Sequence, residues 1–376
     1  GHMKTNRSLV RISVYGNAVV AVALALLLGV IPGILTIRYS RDAARHDGGI
    51  PDIAFTLHRA LSPKFAAWAR ERVASGDAGS LPLKNISATE WPPFGSAFYL
   101  WATEALQAEW ERDPGRAQIA PKVYARDAID AATTLVLDPN TASWVRRHWG
   151  DDYLKRQNIF YRYLIIASTT SYYNLTGDSR YMGLLREQVD GLSAEIDTSP
   201  AGMLQDYPGE CYPADVMSAI ACIRRADRVL GSDHSAFAER ASRAFTGKSL
   251  DPLGLPPYLA EIRSGEQITG ARGCSNSYVC TVAPEVWPET AAAWYTAYEK
   301  SFWQYRWGAY GFREFPKDSG ASDWYGDVDS GPCVAGHGFA ACAFGLSAAR
   351  ANGRFDHAYP LTQELVAICW PMMTGR

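Results

Sequence analysis

The chain has 376 residues, with 37 lysines and arginines against 39 aspartates and glutamates and a formal net charge of −2. That balance, with no basic block interleaved with aromatics, argues against a nucleic-acid partner. Aromatic residues make up 12%, with 12 Trp and 20 Tyr; such rings can floor a sugar or terpene site, although most serve as helix-packing core.

In chain order, Gly1-His2-Met3 reads as a cloning scar at the head of a tail, 1–11. From Ile12 to Ile37 no residue is charged, and a bilayer core is crossed by about 20 apolar residues in a helix. No small-residue cleavage site follows, so 12–37 reads as an uncleaved transmembrane signal anchor. Lys4, Arg7 and Arg11 before the span balance Arg38, Arg41 and Arg45 after it, so the positive-inside rule leaves orientation open. A periplasmic or extracellular body is the expectation. A linker, 38–52, leads to a single catalytic domain, 53–376.

The body alternates helical patterns with loops rich in Gly, Pro and aromatics. Phe55–Val73, Phe94–Arg112, Tyr124–Leu137 and Asn158–Leu175 carry apolar residues at helical spacing, as do at least six later segments, AGHGFAACAFGLSAARA among them. Stops are marked by TGDSR after Leu175 and GSD after Leu230. Strand patterns are scarce, apart from a short hairpin expected between Leu253 and Thr281. The expected class is all-α, a toroid of helical hairpins whose loops build a pocket at one end. Seven cysteines are too few for a disulfide scaffold, though Cys274 and Cys280 are close enough to bridge outside the cytosol.

NIFYRYLIIASTTSYYNLTGDSRY (Asn158–Tyr181) followed by GMLQDYPGECYPADVMSAIACIRRADRVLG (Gly202–Gly231) resembles the linalool dehydratase-isomerase family. The similar elements are Asn158-Ile159, Tyr161, the Thr176-Gly177-x-x-Arg180-Tyr181 turn and Asp227-Arg228, with DVDSGPCVAGHGF from Asp327 a further likeness. The convincing match covers about a quarter of the chain. The resemblance implies an (α/α)6 barrel and acid–base breakage of a C–O bond without cofactor or metal, on a tertiary terpene alcohol in that family. The family's two pocket cysteines fall on Asp206 and Asp215, its pocket histidine on Leu164 and its neighbouring methionine on Phe160. Its first-loop acid and tyrosine are harder to place, Glu90 with Ser96 or Tyr99 being the options. The changed identities imply the fold without linalool as substrate.

The residues themselves offer three carboxylate clusters. QDYPGECYPADVMSAI brings Asp206, Glu210 and Asp215 within ten residues, and a carboxyl set in burial or beside another holds its proton near neutral pH. Against this, Asp215 is well placed to cap the helix that follows, and Cys211 suits packing better than nucleophilic attack. In SDWYGDVDSGP, Asp329 or Asp327 is a candidate base and Trp324 or Tyr325 a platform, with an Asx-turn and a calcium loop as rival readings. Glu90 sits before Trp91 and two prolines that stiffen its loop. Phe160, Tyr161, Leu164 and Trp91 complete the expected substrate wall. His337 is the histidine to watch, a hydrogen-bonded core residue being the commoner fate.

No phosphate-cradling glycine loop, GxSxG elbow, HExxH or zinc spacing occurs, so neither cofactor nor metal is expected. Three functions stay open: a hydro-lyase or isomerase, an inverting glycoside hydrolase using two carboxylates, and a non-catalytic glycan or lipid binder. The expected partners are a small-molecule or glycan substrate and the membrane through 12–37; a homo-oligomer is also open.

Overall fold

The computed structural model describes residues 2–42, 48–369 and 371, and of residues 2–12 the backbone alone. The linker 38–52 and the tail 1–11 therefore lie partly outside the described residues. Helices α1 (His2–Ala25) and α2 (Ile31–Ser40) join through a π turn, Leu26–Val30, into one rod. Ser13–Ser40 of that rod is long and apolar enough to cross a membrane.

The body is mostly helical: α3 (Asp52–Ser75), α4 (Trp91–Arg112), α5 (Arg126–Leu137), α6 (Ser143–Trp149), α7 (Ile159–Thr176), α8 (Met182–Thr198), α9 (Pro213–Leu230), α10 (Ser235–Ala241), α11 (Gly273–Val282), α12 (Pro288–Phe302), α13 (Phe339–Ala351) and α14 (Phe355–Cys369). The punctuation is local. Prolines open α4, α9 and α12 within their first two positions, where a missing N–H costs nothing. Gly177 and Gly231 end α7 and α9 at left-handed φ of 71° and 64°, as the TGD and GSD stops anticipate.

Helices α4, α7, α9, α11 and α13 pack against one another in chain order. Phe344 of α13 meets Phe94 and Phe98 of α4, with ring centroids 6.1 and 5.4 Å apart. Their interior is apolar almost throughout, and the buried Arg162, 1% exposed, is paired, binding Glu195 at 2.6 Å and Gln188 at 3.0 Å.

Three small antiparallel sheets decorate this frame. β1 (Leu259–Ala260) and β2 (Gln267–Thr269) form the hairpin expected there. β3 (Trp303–Arg306) with β4 (Ala309–Phe312), and β5 (Tyr325–Asp327) with β6 (Gly331–Val334) and β7 (His337–Gly338), were not legible as strands. The helical reading of AGHGFAACAFG therefore began too early. Ala335 and Gly336 take positive φ, which puts His337 on β7 and starts α13 at Phe339. Cys274 and Cys280, whose spacing left a bridge open, carry free thiols. Both lie on α11, six residues apart, and Cys274 Sγ donates instead to Glu314 at 3.1 Å.

The helices of the frame run in one direction and hold a cavity at each end. Residues from the first turns of α4, α7, α9, α11 and α13 line a cavity of about 770 Å³. Later turns of α4, α7 and α9 line another, of about 760 Å³.

Candidate active site

The cavity at the helix N-termini gathers Glu90, Asp206, Glu210, Asp215 and Asp329, from three separate stretches of chain. Among the described residues no lysine or arginine lines it; the other wall is largely apolar, with Trp91, Phe94, Phe160, Tyr278 and Phe344 prominent. Five helix N-termini facing the acids supply partial positive charge without a proton-competing cation.

The loop Gln205–Cys211 is built around one turn. Tyr207-Pro208-Gly209-Glu210 closes with the Glu210 N–H on the Tyr207 carbonyl at 2.9 Å, proline setting the second position and Gly209 taking φ 91° at the third. The Asp206 N–H then bonds the Glu210 carbonyl at 2.9 Å, and the Ile159 N–H bonds the Gln205 carbonyl at 3.1 Å, pinning the loop to the mouth of α7.

The capping expectation reverses here. Asp215 stands in the first turn of α9 and caps nothing; its Oδ1 accepts from the Tyr163 hydroxyl at 3.3 Å. Asp206 instead holds the helix mouth, its Oδ2 accepting the Tyr212 N–H at 2.9 Å. Asp206 is 2% exposed, and its Oδ1 is buried with no hydrogen-bond partner. Burial pushes its carboxyl well above the usual range, and the neighbouring Asp215 charge pushes it further. Asp215 is raised by burial to about 7, held down by the Tyr163 hydroxyl and by the adjacent Asp206 carboxyl. The two carboxyls titrate as a pair, and burial together with the Asp215 charge raises Asp206 the more strongly. Behind Asp215 the Tyr278 hydroxyl donates to the Tyr163 hydroxyl at 3.2 Å, a buried relay.

Glu90 ends the short turn before α4, held by Pro92 and Pro93, both buried. Burial raises its carboxyl to about 8; the Tyr207 hydroxyl lowers it, while Asp329, Asp215 and Glu210 raise it. Asp329 occupies the turn between β5 and β6, accepts from the Tyr258 hydroxyl and is raised by burial. Glu210, at the mouth, accepts from the Tyr212 hydroxyl at 2.9 Å.

Several expected wall residues stand elsewhere. Tyr161 faces away on α7, its hydroxyl donating to the Val136 carbonyl at 2.6 Å. Leu164 lies one turn deeper than Phe160, fully buried beneath the floor. Asp327 is the Asx-turn residue of its loop, accepting the N–H groups of Asp329 and Ser330, and it pairs with Arg272 at 2.8 Å. Its carboxyl is depressed by those bonds in spite of burial. Trp324, just before β5, and Tyr325, its first residue, are exposed and lie outside the cavity wall. His337 bonds the Arg306 carbonyl at 3.3 Å, also outside. Cys211 is buried and its thiol pushed well up by burial and by the two aspartates, which suits packing. Residues that pattern alone did not mark are Tyr163, Tyr207, His148, Tyr258 and Tyr278, all brought in by packing. Among the described residues no three carboxylate, thiol or imidazole groups are arranged to hold a metal ion.

A scan against models of protein families matches none, and no curated protein aligns with the chain.

Proposed function

We propose that the chain is a membrane-anchored, cofactor-independent enzyme that breaks or rearranges a C–O bond by carboxyl acid–base catalysis, on a hydroxylated and partly apolar substrate. The reading includes an (α/α)6 barrel and kinship with the linalool dehydratase-isomerase family, resting on the motifs quoted above. One observation carries it: five carboxyls, several pushed up towards neutrality, share a largely apolar cavity that, among the described residues, no lysine or arginine lines.

The roles follow from the order of proton affinity. Glu90, raised to about 8, is neutral at pH 7 and acts as the acid. Asp215, near 7, is substantially ionised and acts as the base. Glu90 gives its proton to the substrate hydroxyl as the C–O bond breaks, releasing water. Asp215 takes a proton from the adjacent carbon, whose C–H electrons form the new double bond. Glu90 ends ionised and Asp215 protonated, and proton exchange through water resets them. Returning water at a different carbon of an allylic system gives the isomerisation. Asp206 is a positioning residue, whose proton keeps Asp215 from carrying the full repulsion of a second charge.

A second reading, an inverting glycoside hydrolase on a cell-envelope glycan, is favoured by the tyrosines at the cavity wall, Tyr207, Tyr212 and Tyr258. Wild type and Asp206→Asn and Asp215→Asn variants assayed on allylic alcohols and on glycans separate the two. Dehydration lost in Asp215→Asn supports the first; sugar release by wild type overturns it. Ligand binding with no turnover on either panel leaves the chain a binder.

A further inference from the structure

The apolar rod and the carboxyl cavity lie at the same end of the body, and this follows from helix directions alone. Phe339 and Ala340, the first residues of α13, line the cavity. α13 runs away from it to Ala351, and α14 returns after a turn of three residues. α2 packs on α14. Arg350, at the far end of α13, bonds the carbonyls of Gly48 and Gly49 at 2.9 and 3.1 Å. Tyr39 stacks on Tyr359, one turn along α14, at 5.5 Å. Moving backwards through the chain from Gly48 to Tyr39 and Leu35 thus means moving along α14 towards the cavity end. Residues 13–30 then project beyond the body, every one exposed. Eighteen residues give about 27 Å of helix, close to the roughly 30 Å of a bilayer's hydrocarbon core.

The surface where the rod leaves the body is aromatic. α12 delivers the β3–β4 hairpin to this end, with Trp307 at its tip, 71% exposed, and Trp324 packed beside it at 5.8 Å. The Tyr310 N–H bonds Glu364 of α14 at 2.9 Å, which fixes the hairpin beside the last turns of α14, where Ile368 is also exposed. At the cavity mouth, Trp91 and Phe339 are exposed. Tryptophan and tyrosine side chains suit a bilayer's interfacial layer, one part apolar and one part wet.

We propose that this end of the body rests on the bilayer and that the carboxyl cavity opens onto it, so that the substrate is a membrane-resident amphiphile. Its apolar chain leaves the lipid past Trp91 and Phe339, and its oxygen-bearing end reaches Glu90 and Asp215. The substrate class rests on the acid–base reading of the cavity, whereas the membrane contact does not.

The test uses the full chain in phosphatidylcholine vesicles containing doxyl-labelled lipid. An environment-sensitive fluorophore is placed on Trp307→Cys, Ile368→Cys, Trp91→Cys and, at the opposite end on the exposed first turn of α12, Glu289→Cys. The signal of the parent chain, with its native cysteines, is subtracted. The expected result is quenching several-fold stronger at 307, 368 and 91 than at 289. Equal quenching at 289 and 307, or none at 307 and 368, overturns the proposal. Fluorophores at 307 that respond to protein concentration and not to lipid assign the face to a second copy of the chain, which also overturns it. Strong quenching at 307 and 91 with undiminished turnover in Glu90→Gln and Asp215→Asn leaves the membrane contact standing and refutes the catalytic reading alone.

Discussion

The two cavities at the ends of the same helices are nearly equal in volume and opposite in chemistry. At the C-terminal ends three of the four carboxylates are matched with cations: Arg225 forks onto Glu285 beside Trp101, Arg224 pairs with both Asp227 and Asp233, and Glu104 accepts from Ser171 and Asn174. At the N-terminal ends the acids outnumber any partner, and their carboxyls rise towards neutrality. The helix macrodipole explains the sorting, since arginines favour C-termini and carboxylates favour N-termini. What it does not require is that no arginine or lysine among the described residues should line the N-terminal cavity. A cation there would depress the carboxyls and abolish the neutral acid. Withholding it is what lets burial raise them.

The largest expected effect comes from removing the unpaired acids. Glu90→Gln and Asp215→Asn should each lower turnover on an allylic alcohol by about 10²–10⁴-fold, the usual range for a positioned acid or base. Wild-type kcat/KM should follow a narrow bell, falling below about 7 as Asp215 takes its proton and above about 8 as Glu90 loses its own. A profile flat from pH 5 to 9 would contradict these assignments.

The converse change belongs to the other cavity. Arg225→Met leaves Glu285 without its partner and removes the cation over Trp101. The pair is only partly buried, so the expected cost is about 1–2 kcal/mol, between the exposed-pair and buried-pair ranges. Urea unfolding should register that loss, with turnover at the opposite end unchanged.

How much of this was legible in the sequence depends on what carried each signal. Helices and their stops were readable because apolar spacing and Gly or Pro punctuation are local. Asp206 and Asp215 were marked twice, by acid density and by their distance from Asp227-Arg228, and Glu90 by the prolines that hold it. All three reach one cavity with Glu210 and Asp329. The role of Asp215 as a cap misled because residue type and position suit a cap equally well, and only Tyr163, about fifty residues earlier, shows where its side chain is held. Asp327, Trp324 and Tyr325 were expected in the wall because acids and aromatics share one short loop with Asp329, but that loop pairs as a hairpin, which sends neighbouring side chains to opposite faces. No pattern in five residues says which face meets the cavity. The tyrosine relay is a tertiary product of α7, α9 and α11 and left no sequence mark.

Raised carboxyls should also weaken the fold as pH increases. Glu90 and Asp215 bind protons more tightly in the folded chain than in the unfolded one, where 4.5 and 3.8 are the ordinary values. Their contribution is therefore fully present below about pH 4 and lost as pH rises through 7 and 8. Replacing Glu90 by Gln removes the ionisation, so the variant should gain on the order of 1 kcal/mol over wild type between pH 5 and pH 9, after allowing for partial exposure. Urea midpoints at the two pH values measure the difference. An opposite sign would mean that Glu90 is ionised and paired.

The smallest expected effect tests the relay. Tyr163 donates to Asp215 and stabilises its ionised form, working against burial. Tyr163→Phe keeps the ring and deletes the donor, so Asp215 should rise further, by less than about one unit. The acidic limb of the pH profile should then move upward while the basic limb, set by Glu90, stays where it is. Turnover at the optimum should fall by less than about tenfold, the scale of one hydrogen bond. A purely structural role for Tyr163 predicts a uniform loss at every pH with both limbs fixed. Movement of one limb alone identifies Asp215 as the group that must be ionised, and so separates the base from the acid in a cavity where neither is marked by a cation.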